Sequence, residues 1–131
     1  MNGLVSIQSE HTVKETIDRL VSILESKGLT IFCRIDHAAN ATKSGLELRP
    51  TDLVIFGNPK AGTALMQDNQ MTGIDLPVKA LAWQDESGKV WLTYNDMAWI
   101  ANRYVLTEKT VATAKAIGEG IAMACGNAAK K

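Results

Sequence analysis

Residues 51–63 constrain the fold most, because an apolar strand runs there directly into a helix start. Thr51 to Phe56 reads as a strand with a continuous apolar run, the pattern of a strand covered on both faces. It leads into Phe56-Gly57-Asn58-Pro59-Lys60-Ala61-Gly62-Thr63. Asn is a preferred N-cap and Pro is preferred at the first helical position, so a helix is predicted over Pro59 to Gln67. Gly62 weakens it by about 1 kcal/mol relative to Ala. A helix N-terminus at a strand end also attracts negative groups. The segment lacks the GxxxxGK[ST] spacing of a P-loop, which removes the nucleoside triphosphate reading.

The remaining pattern alternates strands and helices. Leu4 to Ile7 is a short strand, and Thr12-Val13-Lys14-Glu15 is a capping box that starts a helix. Val13, Ile17, Leu20, Val21 and Leu24 form its apolar stripe, and Gly28 terminates it. Leu29 to Ile35 reads as a strand with Leu29, Ile31, Cys33 and Ile35 on one face. Ala38 to Lys43 reads as a short helix ended near Gly45, and residues 68–77 as a polar loop with a Pro stop. Residues 78–94 read as a hairpin turning through Asp85-Glu86-Ser87-Gly88. Asn95-Asp96 caps a short helix carrying Trp99 and Ile100. The final helix, Thr110 to Cys125, has a close-packing seam at Ala114, Gly118 and Ala122.

Charge and cysteine usage exclude several function classes. Fourteen basic residues balance fourteen acidic ones, so the chain lacks the electrostatic footprint of a general nucleic-acid binder. With 131 residues, 46% of them apolar, it suits one domain that buries a core without disulfide or metal. The two cysteines, Cys33 and Cys125, are expected as buried free thiols. The two histidines have no metal-ligand spacing, so no metal and no cofactor are expected. No segment reaches the ~20 apolar residues of a membrane span, and no basic-then-apolar start resembles a leader, so the chain reads as cytoplasmic.

Five phrases taken together resemble the DUF302 family, small bacterial and archaeal domains of unknown function. They are Ile35-Asp36-His37, Gly45 to Thr51, Phe56 to Thr63, Gly73 to Ala80, and Val90 to Asp96. They come in the family's order across residues 4 to about 104. Ala64, where the motif often reads Pro, and Asn69-Gln70 depart from the pattern. The resemblance implies an α+β domain spanning 1–131: an antiparallel sheet with helices mainly on one face, similar in topology to the TATA-binding-protein-like fold. The C-terminal helical segment, 104–131, is less diagnostic. Fold likeness imports no DNA binding.

The candidate site gathers polar residues expected at strand ends. Asn58, Lys60 and the helix amides would hold a small anionic ligand, Arg49 would neutralise it, and Asp36, His37 and Tyr94 would orient it. Arg49 otherwise pairs with Glu47 or Asp52, and Asp36 otherwise caps the helix after it. Lys79 points either into a polar pocket or to solvent. An enzyme reading would use His37 as acid or base with Asp36 or Asp96 orienting it. No nucleophile has an identifiable base partner and no GxSxG is present, so binding is the expected role rather than catalysis. A third reading is an interaction module in which Trp83, Trp91 and Trp99 form one exposed apolar patch. A homodimer is expected from the hairpin tryptophans and the C-terminal seam.

Overall fold

The computed structural model describes residues 2–131. Five strands, β1 (Leu4–Ser9), β2 (Thr30–Asp36), β3 (Thr51–Gly57), β4 (Val78–Gln84) and β5 (Val90–Asn95), form one sheet in the order β1-β5-β4-β3-β2. Every neighbouring pair is antiparallel. The helices are α1 (Val13–Ser26), α2 (His37–Lys43), α3 (Pro59–Asp68), α4 (Met97–Arg103) and α5 (Glu108–Ala129). This is the α+β class expected from the sequence.

Helix α1 starts where the capping box places it, with the Glu15 N–H donating to Thr12 Oγ1 and the Thr12 N–H donating to Glu15 Oε1. Because β1 and β2 lie at opposite edges, α1 must cross the sheet to connect them. It buries Val13, Ile17, Leu20 and Leu24 against β2 to β5 on one side and α5 on the other. The C-terminus of α5 is held by α1 in turn. Arg19 Nε donates to the Ala128 carbonyl at 2.9 Å, and Arg19 Nη2 to that of Asn127 at 3.0 Å, satisfying carbonyls left free at a helix end.

Alternation along the central strands separates two very different faces. Val54, Phe56, Ala80, Ala82, Leu92 and Tyr94 are buried in the core with α1 and α5. The intervening Leu53, Ile55, Leu81, Trp83 and Trp91 are only half-buried and lie outside that core. Thus β3 is covered on one face, not both as its apolar run suggests. A register shift between Ile31 and Cys33 also splits β2: Ile31 pairs with buried Phe56, while Cys33 pairs with Ile55 on the open face. Cys33 is therefore exposed, contrary to the expectation, whereas Cys125 is buried and its thiol is pushed up to about 12 by desolvation.

Three helical details differ from the sequence reading. Residues 70–75 form a 3-10 turn instead of loop, capped by the Asn69 side chain. Helix α5 extends to Ala129, and Ala122 turns outward while Ala114 is buried and Gly118 packs against Met97. A Cβ at Gly118 would lie 3.1 Å from that of Met97, so the close approach exists at Gly118 without forming a three-residue seam.

The β4–β5 turn carries a pH-dependent contribution. Asp85 accepts from Trp91 Nε1 at 2.9 Å, from Ser87 Oγ at 2.8 Å, and from the Ser87 and Lys89 amides. These bonds, the indole's foremost, hold its carboxyl down at about 2. The sign follows from a folded pKa below the unfolded one, about 3.9. The contribution is complete above that unfolded value and is lost as pH falls toward about 2. A carbon NMR titration should give Asp85 a midpoint near 2, with the Trp91 indole proton moving in step. A midpoint near 4 would contradict this arrangement.

Candidate functional site

The octapeptide lies where the sequence places it, at the end of β3. Asn58 caps α3 by accepting from the Lys60 N–H at 3.0 Å, and Pro59 occupies the first turn. Gly57 leaves β3 with φ 158, and Gly62 packs beneath Leu76. Above this turn the molecule opens a cleft of about 480 Å³. Its walls are the end of α1 (Leu24), Leu29 just before β2 and Phe32 within it, the β3–α3 junction (Phe56 to Pro59 and Ala61 to Thr63), Leu76-Pro77-Val78, and the α5 face Thr113, Ala116, Ile117, Gly120 and Ile121. The volume falls in the range of small-molecule sites.

The lining is chemically plain. Asn58, Thr63 and Thr113 are its polar side chains, and none of its lining residues is ionisable. The helix N-terminus offers little to an anion as well. Pro59 has no N–H, Asn58 Oδ1 takes the Lys60 N–H, and the Asn58 carbonyl takes the Gly62 N–H. Of the amides from 59 to 62, that of Ala61 alone is without one of these partners. Exposed Lys60 stands beside the cleft without lining it.

The six residues expected to converge do not share one site. β2 and β3 are antiparallel, with Asp36 opposite Asp52 and Thr30 opposite Gly57. Asp36 and His37 therefore sit at the same sheet end as Arg49, whose Nε donates to the Gln84 carbonyl at 3.1 Å. Asn58 and Lys60 sit at the other end, about 20 Å away along a seven-residue strand. Tyr94 is at the Asn58 end but points into the core, where burial raises its phenol pKa. The single cleft holding Asp36, His37, Arg49, Asn58, Lys60 and Tyr94 is thus corrected by strand direction: only Asn58 lines the cavity.

The catalytic arrangement is not assembled either. Asp36 is engaged in capping α2 through the Ala39 N–H, and Asp96 caps α4 at the opposite end of the sheet. His37 lies outside the cleft. Lys79 is half-buried, with Nζ 3.4 Å from the Asp75 carbonyl, so it follows neither extreme of the sequence reading. The three tryptophans separate as well. Trp83 and Trp91 stack on the open sheet face with centroids 6.5 Å apart, while Trp99 packs on Gly3 with Arg103 over its ring.

Sequence reasoning missed Phe32, Leu76, Thr113, Ala116 and Gly120 as cleft residues. A signal existed for α5: positions 113, 116, 117 and 120 recur at helical spacing, with two small residues among them. No local signal connects that stripe to β2 or to the octapeptide, because the contact is tertiary.

Among the described residues no helix is long and apolar enough to cross a membrane. Two similar proteins are the fluoride-specific ion channels FluC 1 of Brucella suis biovar 1 and FluC 2 of Brucella melitensis biotype 1. Each is 51% identical over 119 residues, 91% of this chain, but the match takes up 47% and 44% of their lengths. The chain thus spans about half the length of these relatives. In fold it is similar to the crystal structure of an uncharacterized conserved DUF302 protein from Bacillus stearothermophilus. That likeness has a TM-score of 0.84 and 18% identity, and it covers 98% of this chain and 99% of that one. The model of the domain of unknown function DUF302 matches residues 5–124, and the chain belongs to that family.

Proposed function

We propose that this domain binds a small molecule with an apolar body in the cleft between the octapeptide and α5. The observation that carries this reading is the cleft itself: about 480 Å³, walled by aliphatic and aromatic side chains, with three polar ones to orient a guest. A charged group in such a lining would lose hydration without a partner, so a ligand's charge, where it has one, projects from the mouth toward Lys60. This narrows the anionic ligand expected from the sequence to one whose recognised part is apolar. Arg49, Asp36 and His37 take no part, since they lie at the far sheet end. We assign the channel activity named for the Brucella relatives to the part of those proteins that this chain does not match.

Gly120 supplies the test. It lies mid-helix on the cleft wall, and a Cβ there would meet nothing within 4 Å. Gly120→Phe should fill the cleft while keeping α5, since Gly is the poorer helix former. In a thermal-shift screen, neutral medium-chain alcohols and substituted benzenes should raise the melting temperature, and inorganic phosphate should not. At one hundred times its Kd a ligand adds about 2.7 kcal/mol. Gly120→Phe should abolish that rise. No rise with any apolar probe, or an equal rise in the variant, would defeat the proposal.

A further inference from the structure

The face of the sheet opposite the helices is the largest feature the cleft leaves unexplained. Ile35, Leu53, Ile55, Leu81, Trp83 and Trp91 lie on it, drawn from four adjacent strands. Cross-strand pairing makes two apolar groups, Ile35–Leu53–Leu81 and Trp83–Trp91, which meet along β4 where Leu81 and Trp83 stand two residues apart. None of these residues belongs to the helix-side core. An antiparallel sheet with one solvated face ordinarily alternates apolar with polar; β1 and β5 keep polar Ser6, Gln8, Thr93 and Asn95 on this face, whereas β3 and β4 place Leu53, Ile55, Leu81 and Trp83 on it.

We propose that this face packs against the same face of a second copy of the chain. Five strands at about 4.8 Å spacing and six residues at about 3.3 Å give roughly 500 Å² of flat sheet per copy. A pair then reaches about 1,000 Å² before side-chain relief is counted, the lower bound for a specific interface.

The polar groups on the face also suit a like partner. Trp83 Nε1 donates to Thr93 Oγ1 at 2.8 Å, Thr93 shares a hydrogen bond with Ser6, and Trp91 Nε1 donates to Asp85. Both indole donors are satisfied within the chain, so none demands a polar group from a foreign surface. The charged residue within the strands on this face, Lys79, directs its Nζ to the Asp75 carbonyl. With Lys79 as the one charge within its strands, tied to a carbonyl of its own chain, the face is otherwise neutral, and two such twisted sheets pack face to face about 10 Å apart. Charge depletion and tryptophan enrichment are the composition of interface centres.

Sedimentation velocity of the full chain, from micromolar to hundred-micromolar concentration, should give a species of twice the 14.2 kDa chain mass. Leu81→Glu, where the two apolar groups meet, should return it to 14.2 kDa, whereas Ile74→Glu on the exposed 3-10 turn should not. Circular dichroism checks that each variant is folded. Should Leu81→Glu not fold, the unmodified chain decides: dilution should shift tryptophan emission to the red as Trp83 and Trp91 become wet. A chain that stays at 14.2 kDa and shows no such shift overturns the proposal, leaving the face to a different protein. A dimer that survives both Leu81→Glu and Leu53→Glu overturns it equally.

Discussion

Leu20→Ala is expected to lower the unfolding free energy by about 2–5 kcal/mol, measured by urea denaturation followed by circular dichroism. Leu20 has no exposed surface, and its helix is the one element that packs on four strands and on α5. Truncation removes apolar transfer energy and leaves a cavity between two rigid layers that cannot both collapse into it. A domain of this size has a total stability of about 5–15 kcal/mol, so the variant loses a large share of it. The urea dependence should keep its slope, since the surface exposed on unfolding hardly changes. A loss under about 1 kcal/mol would contradict the placement of α1 across the sheet.

The second large effect belongs to Arg34. Its Nε and Nη2 donate to Asp52 Oδ2 at 3.1 and 2.8 Å, and its Nη1 to Asp18 Oδ1 at 2.7 Å. Asp52 is 6% exposed on the helix side of β3, and its Oδ1 has no hydrogen-bond partner, so Arg34 is the partner that makes its burial tolerable. The Asp52 carboxylate, with Asp18 adding to it, raises the guanidinium pKa. Arg34→Met is expected to lower stability by about 2–3 kcal/mol, below the usual figure for breaking a buried pair because the Arg34 side chain is partly open to solvent. Adding Asp52→Leu should restore most of that loss, because the cost lies in the abandoned charge rather than in the missing bond. If the double variant is no more stable than Arg34→Met, the buried carboxylate is not the cause. Urea denaturation of the three proteins makes the comparison.

Local chemistry made most of the elements legible. The Thr12–Glu15 box, the Asn58-Pro59 start and Gly88 in the β4–β5 turn each act through atoms a few residues apart, and each appears where its residues stand. The apolar stripe of α1 was equally readable, because helical period alone decides which side chains share a face. The run Leu53-Val54-Ile55-Phe56 misled for a physical reason. An apolar strand reads the same whether its second face is covered by its own helices or left bare. The register shift in β2 was invisible too, since a bulge depends on the partner strand, and it turned Cys33 outward.

The candidate site divides along the same line. The sequence by itself determined the family, the order of the elements, the helix start at Asn58 and the absence of a general basic charge, since all of these rest on residue type and short-range spacing. Only the tertiary structure decided which ends of the strands meet. Antiparallel pairing sends Asp36, His37 and Arg49 to one end and Asn58 and Lys60 to the other. It also brings the 113–120 face of α5, some fifty residues on, over the octapeptide to close an apolar cleft. Strand direction and helix crossing are long-range choices, fixed by the burial of the whole core, and no single segment carries them.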